Sequence, residues 1–131
     1  MNLLNALLVL IVIILLVVGG YYLYLWFIRK NAAKIVDSAE IQDNIRKKQV
    51  IDVREPAEFD AKHILGARNI PYSQFKMRYP EIRKDKPVYL YDDALHYASR
   101  AANILKKHGY SDIHILKGGF SQWLGKTKSN I

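Results

Sequence analysis

The first 28 residues contain no aspartate, glutamate, lysine or arginine, and this feature divides the chain into two unlike parts. From Leu3 to Ile28, Asn5 is the only strongly polar side chain. As a helix rising ~1.5 Å per residue, this segment is ~39 Å long. The hydrocarbon core of a bilayer is only ~30 Å thick. The sequence therefore predicts that residues 1–28 form a transmembrane anchor.

The residues around the end of the apolar segment predict its orientation. Aromatic side chains concentrate in residues 21–26, as is typical where a helix enters the headgroup layer. Residues 29–36 are predicted as a basic juxtamembrane connector, with Arg29, Lys30 and Lys34, and no basic side chain precedes the apolar run. By the positive-inside rule, we expect a single-pass protein of the cell membrane, with its N-terminus outside and the rest cytoplasmic.

A cleaved signal peptide is the alternative interpretation of the same segment. Signal peptides have a basic start, a shorter apolar stretch and a cleavage site of small residues. Here Met1 and Asn2 provide no basic side chain, and apolar residues continue well past Gly19 and Gly20. These differences favour the anchor.

The charged part of the chain has the pattern of one α/β domain, predicted at residues 37–125 with a flexible tail at 126–131. Short apolar runs at residues 49–53, 87–91 and 112–116 alternate with helical stretches. Such alternation predicts a central, mainly parallel sheet flanked by helices. The first helix is predicted to begin at the capping pattern of Asp37 to Glu40 and to continue to about Lys48.

Four segments of this domain resemble the rhodanese domain, in the order and at the spacing of that family. They are Ile51–Phe59, His63–Pro71, Lys86–Tyr91 with the helix after it, and Gly109–Trp123. The resemblance implies a three-layer rhodanese-like fold in which Asp52 and Arg54 brace the site. It also implies sulfur transfer by a cysteine at the end of the strand at 88–91. Backbone N–H groups of the following loop and helix would stabilise its thiolate.

The chain departs from the family at that cysteine. Asp92 stands at the implied position, and the sequence has no cysteine at all. The loop expected to form the site consists of Asp92, Asp93, Ala94, Leu95, His96, Tyr97 and Ala98. Leu95, Tyr97 and Ala98 fall where glycine, arginine and serine are common in the family. Because a carboxylate forms no stable persulfide, we expect rhodanese activity to be absent or very low.

Other roles are open to Asp92 and Asp93. The simplest is N-capping of the following helix, since carboxylates accept hydrogen bonds from its unpaired N–H groups. A sharper hypothesis, compatible with capping, places the Asp92 carboxylate inside the anion cradle of the family. Phosphorylation of an aspartate is a further alternative. It also needs metal-binding carboxylates and a positioned cation, which the sequence does not supply.

The remaining polar residues give no sign of a cofactor. His63, His96, His108 and His114 lack the spacing of metal ligands, so no metal site and no cofactor are predicted. The net charge of +8 comes from scattered lysines and arginines. This scatter disfavours nucleic-acid binding and favours attraction to anionic lipid, with an ordinary solvated basic surface as the simpler alternative.

Three functions are compatible with the sequence. The first is a membrane-anchored, catalytically inactive rhodanese-like module that binds a protein or a small anion as a cytoplasmic binding or regulatory domain. The second is an enzyme: a sulfurtransferase that relies on a cysteine of its partner, or a carboxylate-based catalyst. The third is a purely structural membrane adaptor. The missing nucleophile favours the first function over the second, and the sequence does not separate the first from the third.

Overall fold

A computed structural model of the chain describes residues 2–31, 33–93 and 96–131. The chain divides into two compact units, Met1–Ala32 and Ala33–Ile131. The first unit is one helix, α1 (Leu3–Asn31). Its segment Leu3–Phe27 is long and apolar enough to cross a membrane, and none of it is buried within the protein. An apolar helix near the N-terminus is also compatible with a signal sequence, so the orientation of α1 and its role as an anchor stay predictions.

The second unit is an α/β domain, as predicted. Its strands are β1 (Lys34–Val36), β2 (Gln49–Asp52), β3 (His63–Ile64), β4 (Arg68–Asn69), β5 (Val88–Tyr91), β6 (Ile113–Leu116) and β7 (Thr127–Lys128). Its α-helices are α2 (Ser38–Gln42), α3 (Pro56–Ala61), α4 (Tyr72–Arg78) and α5 (His96–Lys107). Short 3-10 helices cover Ile45–Lys47, Tyr79–Glu81 and Phe120–Gln122. Five strands form a parallel sheet in the order β1-β6-β5-β2-β4, while β3 and β7 pair antiparallel.

The parallel sheet is covered on both faces, because successive residues of a strand point to opposite sides. In β5, Val88 and Leu90 pack into one core with Phe75 of α4 and the buried side of α5. Tyr89 and Tyr91 of the same strand pack into a second core with Ile41 and Trp123. The domain is therefore three-layered: α4 and α5 lie on one face, and α2 with the segment around Trp123 lies on the other.

Both predicted flanks of the domain differ in the structure. Residues 29–36 are not a separate connector, because α1 continues through Asn31 and Lys34–Val36 pairs with β6. Residues 126–131 are not a free tail, because β7 pairs with β3 and the Asn130 N–H donates to the Asp60 carbonyl oxygen at 2.9 Å. In both places a strand edge has N–H and C=O groups that backbone pairing satisfies.

The first helix of the domain begins as predicted and ends earlier. The Asp37 Oδ1 atom accepts the Glu40 N–H at 3.0 Å, which is the expected N-cap. The helix stops at Gln42, and Asn44 then adopts a left-handed conformation with φ of 53° before the 3-10 turn. Asn tolerates this conformation better than most residues. The break allows Ile45 to pack beside the second core.

Candidate functional site

The carboxyl ends of β2, β4 and β5 border a cavity of about 370 Å³. In open α/β sheets, ligands bind at this end of the strands. The described residues that line the cavity are Val53, Arg54, Glu55, Glu58, Tyr72, Ser73, Asp92, Asp93, His96 and Tyr97. The segments that follow the three strands therefore each contribute lining residues, and α5 contributes His96 and Tyr97.

Asp92 lies at the base of this cavity, directly after β5, and is only 2% exposed. Its Oδ2 atom accepts the backbone N–H of Tyr97 at 2.7 Å and that of Ala98 at 3.2 Å. These donors belong to the first turn of α5, where N–H groups have no partner within the helix. The carboxylate therefore uses donors that would otherwise be available to an external anion.

The backbone of Asp92 and Asp93 is held from the opposite side by the turn at Gly119. The Phe120 N–H donates to the Asp92 carbonyl oxygen at 2.7 Å. Gly119 has φ of 77°, and a Cβ atom added there would lie 2.5 Å from the Asp93 carbonyl oxygen and 2.6 Å from that of Asp92. Only glycine allows the two backbone segments to approach this closely.

We expect Gly119→Ala to destabilise the domain more than a glycine substitution without a steric conflict. Gly66 is the matched control: its φ is 92°, but an added Cβ would meet nothing within 4 Å. Gly66→Ala should cost ~1–2 kcal/mol through backbone strain alone. Gly119→Ala should add an overpacking cost of ~1–3 kcal/mol. Urea unfolding of both variants measures the difference, and equal free energies of unfolding would contradict the proposed close packing.

Asp52 and Arg54 form a buried ion pair behind the cavity. Asp52 is fully buried, and its Oδ2 atom accepts from Arg54 Nε at 3.0 Å and Nη2 at 2.8 Å. Arg54 Nη2 also donates to the Lys62 carbonyl oxygen at 2.6 Å, and its guanidinium lies 4.4 Å from the centre of the Phe120 ring. Burial lowers the pKa of Arg54, but the hydrogen bond and charge of Asp52 outweigh it, so the pKa is raised.

The opening of the cavity is acidic. The carboxylates of Glu55, Glu58 and Asp93 line it, and that of Asp92 lies at the base of the cavity. The pKa of Glu58 is raised above its usual value, mainly by a hydrogen bond with Asp93 and to a smaller extent by partial burial. Among the described lining residues, Arg54 is the only guanidinium or ammonium group, and Asp52 already neutralises it. Its Nη1 atom is 3.6 Å from Asp93 Oδ1. An incoming anion would therefore meet a surplus of negative charge.

Two tyrosines border the same opening. The rings of Tyr72 and Tyr97 lie with their centres 5.1 Å apart at an interplanar angle of 37°. Tyr97 is 49% exposed, so part of its ring remains available for contact with a ligand. Beside them, the Ser73 hydroxyl group donates a hydrogen bond to the Glu55 Oε2 atom at 3.3 Å.

The structure brings together most of the residues selected from sequence. Asp92, Asp93, His96 and Tyr97 line the cavity, whereas Ala98 is fully buried and contributes only its N–H. Ala94 and Leu95 lie outside the described residues. Glu55, Glu58, Tyr72 and Ser73 also line the cavity and were not predicted as site residues. Their signal was present, because these four residues follow closely on the ends of β2 and β4.

Comparison with known proteins agrees with the resemblance to the rhodanese domain. A family model described as the Rhodanese-like domain matches residues 37–126. The uncharacterized protein YqhL of Bacillus subtilis (strain 168) is 49% identical over 109 residues, which are 83% of this chain and 86% of that protein. A thiosulfate sulfurtransferase from Pseudomonas aeruginosa is 31% identical with a TM-score of 0.67, covering 75% of this chain and 20% of its own. A rhodanese with anions from E. coli is 28% identical with a TM-score of 0.57, covering 63% of this chain and 98% of its own.

Proposed function

Since this chain belongs to the rhodanese-like domain family, we propose that it is a catalytically inactive member that acts as a binding or regulatory module. The observation that supports this function is the position of Asp92. Its buried carboxylate follows β5 and accepts two N–H groups from the start of α5, in a chain without cysteine. In this proposal Asp92 takes the place of the family nucleophile.

The chemistry of sulfur transfer explains why this replacement removes activity. A thiolate attacks the sulfane sulfur of a donor, and the new S–S bond holds that sulfur as a persulfide. A carboxylate oxygen is a harder and weaker nucleophile, and it forms no comparable stable bond. The carboxylates of Glu55, Glu58 and Asp93 add a second obstacle, because they repel an anionic donor such as thiosulfate. These charges favour a protein over a small anion as the partner.

The proposed location is the cell membrane, with the domain on the cytoplasmic side. The apolar helix supports the membrane part of this proposal, because Leu3–Phe27 is long enough to span the hydrocarbon core. The orientation rests on the lysines and arginines that follow the helix in the sequence, with none before it.

Two alternative functions would use the same fold. A sulfurtransferase that borrows a partner's cysteine is supported by the similarity to the Pseudomonas aeruginosa thiosulfate sulfurtransferase. In that case, activity would appear only with the partner present. A purely structural adaptor would bind its partner without the cavity. Substitution of Tyr97, which is half exposed at the opening, separates this alternative from a module whose cavity takes part in binding.

We expect the purified full-length chain to show no transfer of sulfur from thiosulfate to cyanide above the rate without protein. Thiocyanate formation measures this directly, and a cysteine-containing rhodanese assayed in the same detergent is the positive control. Incubation with radiolabelled thiosulfate provides a second readout, because an active protein would retain labelled sulfane sulfur. Turnover or retained label on the unmodified chain would contradict the proposed inactivity.

A further inference from the structure

A second surface of the domain, which shares no described lining residue with the cavity at Asp92, combines exposed leucines with cations. We call it the basic–apolar face and define it by Arg46, Leu65, Lys117, Leu124 and Lys126. Two hollows of about 310 and 460 Å³ lie on this face, and both are bordered by α2. All five residues line one hollow or the other.

The two leucines are held outward by an ordered backbone. Leu124 is 85% exposed, although its N–H donates to the Ser38 Oγ atom at 2.9 Å. Leu65 is 44% exposed, and its N–H donates to the Lys126 carbonyl oxygen at 3.0 Å. These hydrogen bonds hold Leu124 against the start of α2 and Leu65 against the segment that contains Lys126. Their exposure therefore does not result from a frayed terminus, and it is unfavourable in water.

The cations of this face have no acidic partner among the described residues. The ion pairs of the described part of the chain do not include Arg46, Lys117 or Lys126. The one acid that lines either hollow is Asp37, and its carboxylate is occupied as the N-cap of α2. The face thus presents apolar side chains surrounded by uncompensated positive charge.

We propose that the basic–apolar face docks onto an anionic membrane surface, with Leu65 and Leu124 in the interfacial layer and the cations against lipid phosphates. Leucines flanked by lysine and arginine are typical of surfaces that lie in this layer. The inference rests on the membrane anchor proposed above, since an anchored domain stays at high effective concentration beside the bilayer. In the sequence, β1 begins only three residues after α1 ends, which limits the reach of the tether.

Spin labels can test this docking in the full-length chain. The sequence has no cysteine, so each introduced cysteine is the only labelling site. Leu124→Cys reports on the face, and Leu10→Cys reports on insertion of α1. Met77→Cys is the matched control, because Met77 is 78% exposed on α4, in the layer on the other side of the sheet. The labelled chains are reconstituted in phosphatidylcholine vesicles with or without phosphatidylglycerol, and relaxation by oxygen and by a water-soluble nickel chelate is compared.

With phosphatidylglycerol present, the label at position 124 should show a severalfold higher ratio of oxygen to nickel accessibility than the label at position 77. The ratio at position 124 should fall to the value at position 77 in pure phosphatidylcholine. It should fall equally in the triple variant Arg46→Glu, Lys117→Glu, Lys126→Glu. The label at position 10 should report lipid in every vesicle.

Several results would overturn the proposal. An aqueous label at position 124 beside a lipid-exposed label at position 10 would exclude the face and leave the anchor intact. An aqueous label at position 10 would exclude the anchor and the docking together. Low accessibility to both relaxants at position 124 would identify a protein contact in place of lipid. Lipid contact at both 124 and 77, or contact that persists in the triple variant, would exclude a specific, charge-dependent face.

Discussion

Replacing Asp92 with cysteine is expected to create a thiol whose pKa lies below the ordinary value of ~8.5. The Asp92 carboxylate accepts the N–H groups of Tyr97 and Ala98 at the start of the 12-residue helix α5. A thiolate in this position would receive the same hydrogen bonds and the positive end of the helix dipole. The pH dependence of alkylation by iodoacetamide measures the pKa. The midpoint should lie at least one unit below that of Met77→Cys, an exposed thiol on α4.

The same variant should still transfer sulfur from thiosulfate poorly, because Glu58 and Asp93 remain at the opening of the cavity. Two unit charges ~5 Å apart interact by ~1–3 kcal/mol at the effective dielectric of a hydrated protein site. Adding Glu58→Gln and Asp93→Asn to Asp92→Cys should therefore raise kcat/KM for thiosulfate roughly tenfold or more. The second substitution also releases Arg54 from its contact with Asp93.

Two outcomes would contradict this account of the cavity. A thiol pKa at or above that of the Met77→Cys control would mean that the backbone donors do not stabilise an anion after β5. An unchanged kcat/KM in the triple variant would mean that the acidic opening does not limit thiosulfate entry.

Arg54→Met is expected to lower the free energy of unfolding by ~3–5 kcal/mol, the cost of leaving a buried charge without its partner. Asp52 is fully buried, and Arg54 provides two donors to its carboxylate. Methionine fills a similar volume but supplies no charge and no donor. Chemical denaturation followed by circular dichroism measures the effect on the domain. The slope against denaturant should stay unchanged if the variant remains two-state.

Arg68→Met is the matched control for this loss. Arg68 pairs with Glu81 at 3.1 Å, but its side chain is 57% exposed. Exposed ion pairs contribute ~0–1 kcal/mol, so this variant should remain close to the parent. The double variant Asp52→Asn, Arg54→Met should be more stable than Arg54→Met alone, because it removes the uncompensated charge. If Arg54→Met and Arg68→Met lowered the free energy of unfolding equally, the burial of the Asp52–Arg54 ion pair would not matter for stability.

The sequence predicted those features that depend on local pattern. Alternating apolar runs predicted the parallel sheet, and the charge-free N-terminal segment predicted the apolar helix α1. The loop after β5 was selected because the resemblance to the rhodanese domain implies that the active-site loop of the family lies there. In the structure, Asp92, Asp93, His96 and Tyr97 do meet at one cavity.

Features that depend on partners distant in the sequence were not predicted. β1 and β7 are each too short to be recognised by composition, and each exists because a distant strand offers it hydrogen bonds. The crowding of Glu58 against Asp93 arises from the way α3 packs beside the end of β5. The contact between Tyr72 and Tyr97 likewise joins two helices. The periodicity of a sequence predicts helices and strands, but it does not predict contacts between side chains that are distant in the sequence.

The pairing of β1 with β6 has a consequence for how the domain can be separated from the helix. The family match begins at residue 37, whereas β1 occupies Lys34–Val36. A fragment that begins at residue 37 would lack the edge strand β1. The backbone N–H and C=O groups of His114 to Leu116 on that side of the sheet would then have no partner strand. Unpaired edge strands form hydrogen bonds with strands of other chains and so promote aggregation. The three residues of β1 therefore protect this side of the sheet, and a fragment of the domain prepared without α1 has to retain them.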